Sequence, residues 1–545
     1  MSDSRGTDTR GIVVGRPAVA GDPSTPRVPA TAWGAARSLP IRVLALFGLL
    51  GFAASAIGSW IPSLWGDEAA SIMSAERSWA SLLPMLGTVD AVHGLYYALL
   101  HVWIDLFGAS TFSVRLPSAI AIGIATAGVA LLGTKLAGRT VGIIAAAMFI
   151  VLPRVTYMGE EARSYALTIA LVVWLTVAFI ALASSREKRV MPWVAFGALF
   201  AFACVLFIYT SLFVLVYAVI AWNMRADRPT LWRAGIALGS GGVIALPVIV
   251  ISYLERNQIA FLASRSNNNP TGLFVSPWFD NLTLAILSWT LIVAGIVIGI
   301  AVTVRQCRGL TTPSKLVALY RPAARRLPSL LVVASAWLFI PGVLLWIGDR
   351  VTPLYSPRYL SSTSPAIVIL VAIGIVAIAR TVRAKWLVPI LAVAVIAASL
   401  PTWYGQRGPY AKNGGTDWGT VAAAIEKRAA PGEAVVFDDN TRPSRKPRLA
   451  LRLYPEAFTK LDDVGLITPF DETDGLWDVV VPAADSPALV DDYHTVWVVL
   501  ATPSFTNAPE SQAKVLPAFE EAGFTISDEV HLHRTVLYKM TRGQQ

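Results

Sequence analysis

Eleven apolar runs dominate this chain of 545 residues and leave it little choice of architecture. About 20 apolar residues carry a helix across the hydrocarbon core of a bilayer. Inside lipid every backbone N–H and C=O must be paired within the span, which selects helices for such runs. The runs predict helices near 41–61, 116–134, 140–157, 164–183, 193–209, 211–224, 234–254, 282–304, 328–348, 363–380 and 385–403. Only Tyr209, Thr210 and Ser211 join the fifth to the short sixth. Charged residues make up 15% of the chain and the mean hydropathy is +0.57. A soluble domain carries about a quarter charged residues, so a soluble enzyme or a nucleic-acid binder is excluded despite a net charge of +10. Cys204 falls in an apolar run and Cys307 in a basic loop, so no disulfide framework is expected.

Residues 1–40 are rich in Gly, Pro, Ser, Thr and Arg without apolar periodicity and read as a disordered cytoplasmic tail rather than a signal peptide. With that tail inside, the segments on its side hold 23 Lys and Arg against 5 acids. The opposite loops hold 8 against 10, and residues 404–545 hold 14 against 20. Lys and Arg favour the cytoplasmic side of short loops. The expectation is a multi-pass plasma-membrane protein with about 11 transmembrane helices over 41–403. An odd span count puts 404–545 outside. That segment alternates strand and helix patterns: a helix over 417–428, strands at 434–437, 478–481, 495–500, 525–531 and 535–540, and a helix at 510–522. It reads as an extracytoplasmic α/β domain, and with no phosphate-cradling glycine motif it is assigned no chemistry.

The chemistry-bearing residues gather on the outer side. The first outside loop, about 62–112, opens with Asp67-Glu68 and continues through Asp90, His93, Tyr96, Tyr97 and His101 to Arg115. Ala69–Leu86 and Leu95–Phe107 are amphipathic and read as helices along the membrane surface. Neighbouring helical residues point about 100° apart, so Asp67 and Glu68 need not share a role. One reading makes one of them a general base and the other a metal ligand or orienting group. The other makes the pair a helix cap, with Asp67 at the N-cap. In the second outside cluster, Glu160-Glu161-Ala162-Arg163, Arg163 is either a bidentate phosphate ligand or the i,i+3 partner of Glu160. Arg358-Tyr359, at the mouth of a later span, is either a phosphate site or an interfacial anchor. His93 and His101 are too far apart for a compact metal motif and read as hydrogen-bonding side chains. Asn267–Asn269, with Arg265 and Ser266, form a polar loop that reads as a lid or a turn. Asn281-Leu282-Thr283 abuts a span and is discounted as a glycosylation site, and Arg321–Arg326 read as an orientation signal.

Asp67-Glu68, Asp90 with His93 and Leu95-Tyr96-Tyr97, Arg115-Leu116-Pro117-Ser118, and Glu161-Ala162-Arg163-Ser164-Tyr165 follow one another in a familiar order. Together they resemble the GT-C superfamily of membrane glycosyltransferases. The likeness is to the branch of protein O-mannosyltransferases and the aminoarabinose transferase of lipid A, related to glycosyltransferase family 39. It covers about 60–404. One motif departs: relatives read His-Pro-Pro-Leu-Tyr-Tyr, whereas His93 here is followed by Gly94 and Leu95. The resemblance implies an inverting transfer from a polyprenyl-phosphate-linked sugar to an acceptor hydroxyl on a glycan, lipid or protein. Asp67 would be the general base, and Arg163, Arg358 and Tyr359 would hold the lipid phosphate. Glu68, Asp90, His93 and Glu161 would position the acceptor or hold a divalent cation (Mg, Mn or Ca). The alternative class is a secondary transporter or lipid flippase, which favours inverted repeats and midplane ionisable residues. No repeat is evident, and the ionisable residues gather at the outer loops.

Overall fold

The computed structural model describes residues 32–543 apart from 37, 186–188, 259–261, 263–266, 322–323, 325 and 503–509. The tail over 1–31, Arg265-Ser266 and part of Arg321–Arg326 therefore lie outside the described residues. Each of the eleven apolar runs contains a helix. Among the described residues seven helices are long and apolar enough to cross a membrane: Thr111–Ala137, Tyr165–Ala183, Arg228–Leu254, Leu282–Cys307, Leu330–Gly348, Pro357–Thr381 and Leu387–Gly405. Arg139–Val151 and Pro153–Gly159 add an eighth if they form one span bent by 59°. Ile41–Ala56, Met191–Leu206 and Ile208–Asn223 are apolar but shorter.

The bundle is organised around Pro357–Thr381, whose apolar window is 94% buried, whereas Leu387–Gly405 is 11% buried and peripheral. Helices have little hydrophobic drive to associate within lipid, so small residues that allow close backbone approach carry the packing. Gly295 and Gly374 are the clearest instance. A Cβ on Gly374 would stand 2.0 Å from the Leu291 carbonyl, and one on Gly295 would stand 2.9 Å from Gly374 Cα. The 59° bend has an equally local cause. Pro153 lacks an N–H and pushes its predecessor out of the helical region, and Leu152 sits at φ −61°, ψ 124°. The bend shortens the second arm, which ends at Gly159 just before the Glu160–Arg163 loop.

The loop over about 62–112 differs from its expected form. Ala69–Leu86 is two helices, Gly66–Glu76 and Trp79–Leu86, broken at Arg77-Ser78, and Gly94–Phe107 follows. They do not rest on the membrane surface alone, because Leu64, Ile72, Met73, Leu82, Met85 and Tyr97 share one buried core with Trp418, Val421, Val435 and Trp497. The break places the buried Arg77 guanidinium against the carbonyls of Thr473, at 2.8 Å, and Gly475.

Residues beyond 405 form the C-terminal α/β unit. Its main sheet runs in the order β2 (Leu461–Asp463), β1 (Glu433–Phe437), β5 (Thr495–Ala501), β7 (Thr535–Arg542), β6 (Phe524–His531). β1 is parallel to β2 and β5, whereas β7 is antiparallel to β5 and β6. The interior strand β1 is buried along its length, as the apolar run Ala434–Phe437 dictates. β3 (Leu466–Thr468) and β4 (Val479–Val480) pair in a separate two-stranded sheet. The expected strand at 478–481 therefore shrinks to two residues and leaves the main sheet. β2 and β3, each three residues long, carry too little pattern to be foreseen. The unit is tied to the first loop: Ser63 N donates to the Pro409 carbonyl at 3.0 Å, and Leu64 N donates to the Tyr454 hydroxyl at 3.0 Å.

Gly374→Val forces a branched side chain into the Leu291 contact. We expect a loss of about 1–3 kcal/mol, the usual cost of overpacking, read as a lowered melting temperature of the detergent-solubilised chain. An unchanged melting temperature would show that the two helices can part freely.

Candidate active site

The adjacent acids Asp67 and Glu68 occupy the first turn of Gly66–Glu76, behind an N-cap at Trp65 rather than at Asp67. Their directions differ as the helical rotation requires. Glu68 is fully buried and gripped by Arg115: Nε donates to Oε1 at 2.7 Å and Nη2 donates to Oε2 at 2.6 Å. Arg115 Nη1 donates to the carbonyls of Ser59 (2.6 Å) and Pro62 (2.8 Å), and Ala162 N donates to Glu68 Oε1 at 2.9 Å. Glu68 is thus held by Arg115 and Ala162 and, unlike Asp67, is not among the residues that line the cavity described next.

Asp67 turns instead into a cavity of about 1230 Å³ between the membrane helices and the C-terminal unit. Its carboxylate is ion-paired with Arg358. Asp90, His93, Arg154, Glu161, Arg163 and Tyr359 share the same walls. The expected residues other than Glu68 thus converge on one space, although they come from four separate stretches of chain.

Arg163 is the cross-brace of that space. Its Nη1 donates to the Asp67 carbonyl and to Ser71 Oγ, both at 3.2 Å, and its Nη2 donates to His93 Nε2 at 2.7 Å. An imidazole that accepts from a guanidinium must be neutral, with the lone pair on Nε2. Burial, and then the charges of Arg163 and Arg358, hold His93 well below its ordinary pKa, in agreement with that tautomer. Asp90 sits at φ 59°, a left-handed conformation that favours glycine. It accepts from the Tyr97 hydroxyl at 2.7 Å, and burial raises its pKa against the opposing pull of Arg163. The end of Arg228–Leu254 closes over this turn: Glu255 Oε2 accepts from Ala91 N at 3.2 Å, and Gln258 Oε1 accepts from Asp90 N at 3.3 Å.

Glu160 does not pair with Arg163. It lies 3.4 Å from both Arg407 and Lys412, so it anchors the linker into the C-terminal unit. Glu161 is different again, buried with neither carboxylate oxygen accepting a hydrogen bond from the described residues. Burial is the main cause that lifts its pKa to about 7. Tyr359 packs against Tyr209 with ring centroids 5.0 Å apart.

The donor set does not fit a divalent-cation site. Among the described residues no group of three His, Cys, Asp or Glu side chains converges. His93 Nε2 is taken by Arg163, Asp67 by Arg358, and Asp90 by Tyr97.

Other expectations resolve simply. His101 holds the Ala75 carbonyl through Nδ1 at 2.7 Å, away from the cavity. Asn267 donates to the Tyr355 carbonyl at 3.3 Å, Asn269 caps a short helix, and Asn281 caps Leu282–Cys307. Sequence reasoning missed Arg154, whose Nε donates to the Pro277 carbonyl at 2.9 Å. It also missed Arg442, Ser444, Arg445 and Trp477 of the C-terminal unit, which supply a cavity wall. No local pattern marks them. Their place follows from docking, which Gly66 permits: a Cβ there would stand 2.2 Å from the Ser444 carbonyl.

A bundle of this topology with an α/β unit closing one end defines a polytopic membrane protein of GT-C fold. No family model matches the chain, and no curated protein matches it. Among solved structures it aligns with ArnT from Cupriavidus metallidurans bound to undecaprenyl phosphate, at 14% identity and a TM-score of 0.53, over 92% of this chain and 98% of that one. The apo state of the same protein aligns at 14% identity and a TM-score of 0.52, over the same shares. The fold expected from the motifs is thus the fold observed.

Breaking the Glu68–Arg115 pair from one side leaves a buried charge uncompensated, at a cost of about 3–5 kcal/mol. Glu68→Leu and Arg115→Met are each expected to lower the melting temperature sharply, and the double variant by less than the sum of the two. Additive effects in that double-mutant cycle would contradict the pairing.

Proposed function

We propose that the chain is an inverting glycosyltransferase that moves a sugar from a polyprenyl-phosphate donor to an acceptor hydroxyl. The observation that carries this is the convergence of Arg154, Arg163 and Arg358 with Asp67 and Glu161 on one cavity at the end of a membrane bundle. Guanidinium groups suit a phosphate, which they meet in bidentate geometry, and the carboxylates suit proton removal. The ArnT structure that shares this fold holds undecaprenyl phosphate, which favours the same class of lipid carrier here.

Arg358 is ion-paired with Asp67. A donor phosphate supplies a competing anion, and Arg358 then stabilises the charge that grows on the leaving phosphate as the sugar departs. Preorganised hydrogen-bond donors of this kind commonly contribute more to catalysis than any other single effect. Asp90 and His93 shape the wall through Tyr97 and Arg163, and Tyr359 lines the way to the phosphate. The Lys and Arg distribution favours a cytoplasmic N-terminus and an extracytoplasmic site, where lipid-linked rather than nucleotide sugars are the natural donors. Synthesis of a cell-envelope glycan, glycolipid or glycoprotein at the plasma membrane is the role that fits.

A transporter or flippase would carry its ionisable residues on interrupted spans near the midplane. Here Asp67, Asp90, His93, Glu161 and Arg163 lie on segments that connect the long apolar helices, and Arg358 is the second residue of Pro357–Thr381, at its end.

The test uses purified full-length chain and a panel of undecaprenyl-phosphate sugars (mannose, arabinofuranose, galactose and aminosugars), with release of undecaprenyl phosphate measured. One donor should turn over, and Arg358→Ala should lower kcat/KM by at least about 100-fold, the scale of losing one charge-stabilising group. Turnover of no donor would contradict the proposal.

A further inference from the structure

A transfer needs an acceptor as well as a donor, and the C-terminal unit walls the cavity with residues that the donor leaves unused. Acids and cations are divided unevenly around this space. Asp67, Asp90, Glu161, Glu255 and Asp280 all come from the membrane helices and their loops. The C-terminal wall carries Arg442 and Arg445 and, among the described residues, no acid. Pro443–Arg445 is a 3-10 turn with Arg442 at its N-cap, and Arg445 N donates to the Arg442 carbonyl at 2.8 Å. Side chains three residues apart eclipse one another in such a turn, so both guanidinium groups leave the chain on one side. Arg442 is exposed and Arg445 half-buried. Among the described residues neither guanidinium is hydrogen-bonded or ion-paired.

A further cation stands close by. Arg534 Nη2 donates to the carbonyl of Asn413, another residue of this wall, at 2.8 Å. Burial, and then the like charge of Arg445, hold Arg534 below its ordinary pKa. Like charges gathered in this way repel, and an anion placed among them relieves the repulsion. Trp477 completes the wall as a half-buried indole. Its loop is fixed on both sides. Arg77 holds the carbonyls of Thr473, at 2.8 Å, and Gly475, while Asp478 pairs with Arg448 at 2.8 Å and Arg452 at 2.7 Å. An indole offers a broad apolar face, which suits the C–H face of a sugar ring, and holding it in place beforehand lowers the ordering cost of binding. Ser444, between the two arginines, meets the first loop where a Cβ on Gly66 would stand 2.2 Å from its carbonyl. The turn that bears both cations therefore rests against the residue preceding Asp67.

We infer that this wall is the acceptor subsite and that the acceptor is an acidic saccharide, its ring on Trp477 and its phosphate or carboxylate held by Arg442 and Arg445. This rests on the glycosyl-transfer reading above. The seat differs from that of the donor phosphate, because Arg358 belongs to the membrane bundle and Arg442 and Arg445 to the C-terminal unit. A hydroxyl of the seated ring is thereby presented beside the helix turn that carries Asp67. Guanidinium groups grip phosphate and carboxylate alike, so the two anions form separate arms of the test.

The experiment follows hydrolytic release of undecaprenyl phosphate by the full-length chain, using the donor that turns over, as glucose, glucose 6-phosphate, glucuronic acid or inorganic phosphate is added. A sugar on this wall changes that rate whether it accepts the transferred sugar or only keeps water out. Glucose 6-phosphate or glucuronic acid should reach half-maximal effect at a concentration at least about tenfold below that of glucose, the scale of one charge-assisted hydrogen bond. Inorganic phosphate, which has no ring, should act more weakly than glucose 6-phosphate. Arg442→Ala combined with Arg445→Ala should erase the advantage of the acidic sugars, and lysine at both positions should keep part of it. Trp477→Ala should weaken glucose and glucose 6-phosphate alike. A merely structural role would produce neither pattern. Equal effects of acidic and neutral sugars, no effect of any, an advantage that survives in the double variant, or inhibition competitive with the donor would overturn the inference while leaving glycosyl transfer intact. Failure of the wild type to release undecaprenyl phosphate from any donor would overturn the transfer reading, and the acceptor subsite with it.

Discussion

The buried bidentate pair between Glu68 and Arg115 is the contact on which the site depends. It joins three segments distant in sequence: the helix Gly66–Glu76, the long helix Thr111–Ala137, and the loop that carries Glu161 and Arg163, reached through Ala162 N. Arg115 also gathers the carbonyls of Ser59, Pro62 and Ser63, where the first apolar helix gives way to the loop that leads into Gly66–Glu76. Burying such a pair is not strongly stabilising in itself, because desolvation consumes most of the attraction. Its value here is directional. With Glu68 fixed inward, the rotation of about 100° per residue sends Asp67 into the cavity. With Ala162 fixed, Glu161 and Arg163 are carried to the same wall.

The cavity then holds a balanced set of charges. Arg163 braces Asp67 and His93, Arg358 covers Asp67, and Glu160 holds Arg407 and Lys412. On the proposed reading, an anionic donor competes with the Asp67 carboxylate for Arg358. Glu161 stands outside these pairs, which is what separates it from the other acids of the site.

Much of this was legible in the sequence. Eleven apolar runs foretold eleven helical segments, because hydrocarbon permits few other backbones. The residues singled out at Asp67, His93, Arg163 and Arg358 line one cavity in the structure. The distinction between Asp67 and Glu68 was not legible, since two adjacent acids look alike until the partner of one is known. That partner, Arg115, lies 47 residues further along the chain. Glu160 and Arg163 fell to the same difficulty: an i,i+3 spacing suggested a pair, and tertiary contacts with Arg407 and Lys412 overrode it. The part played by Arg442, Arg445 and Trp477 had no local signal at all, because it arises from the docking of the C-terminal unit on Gly66. β2 and β3 were missed for a humbler reason, each being only three residues long.

The central claim is that the arginine-lined cavity receives a lipid phosphate by exchange with Asp67. A cryo-electron microscopy structure of the full chain in nanodiscs with undecaprenyl phosphate tests it most directly. The account predicts phosphate density in contact with Arg358, and Asp67 and Arg358 parted from each other. Phosphate bound elsewhere, with the Asp67–Arg358 pair intact, would contradict it.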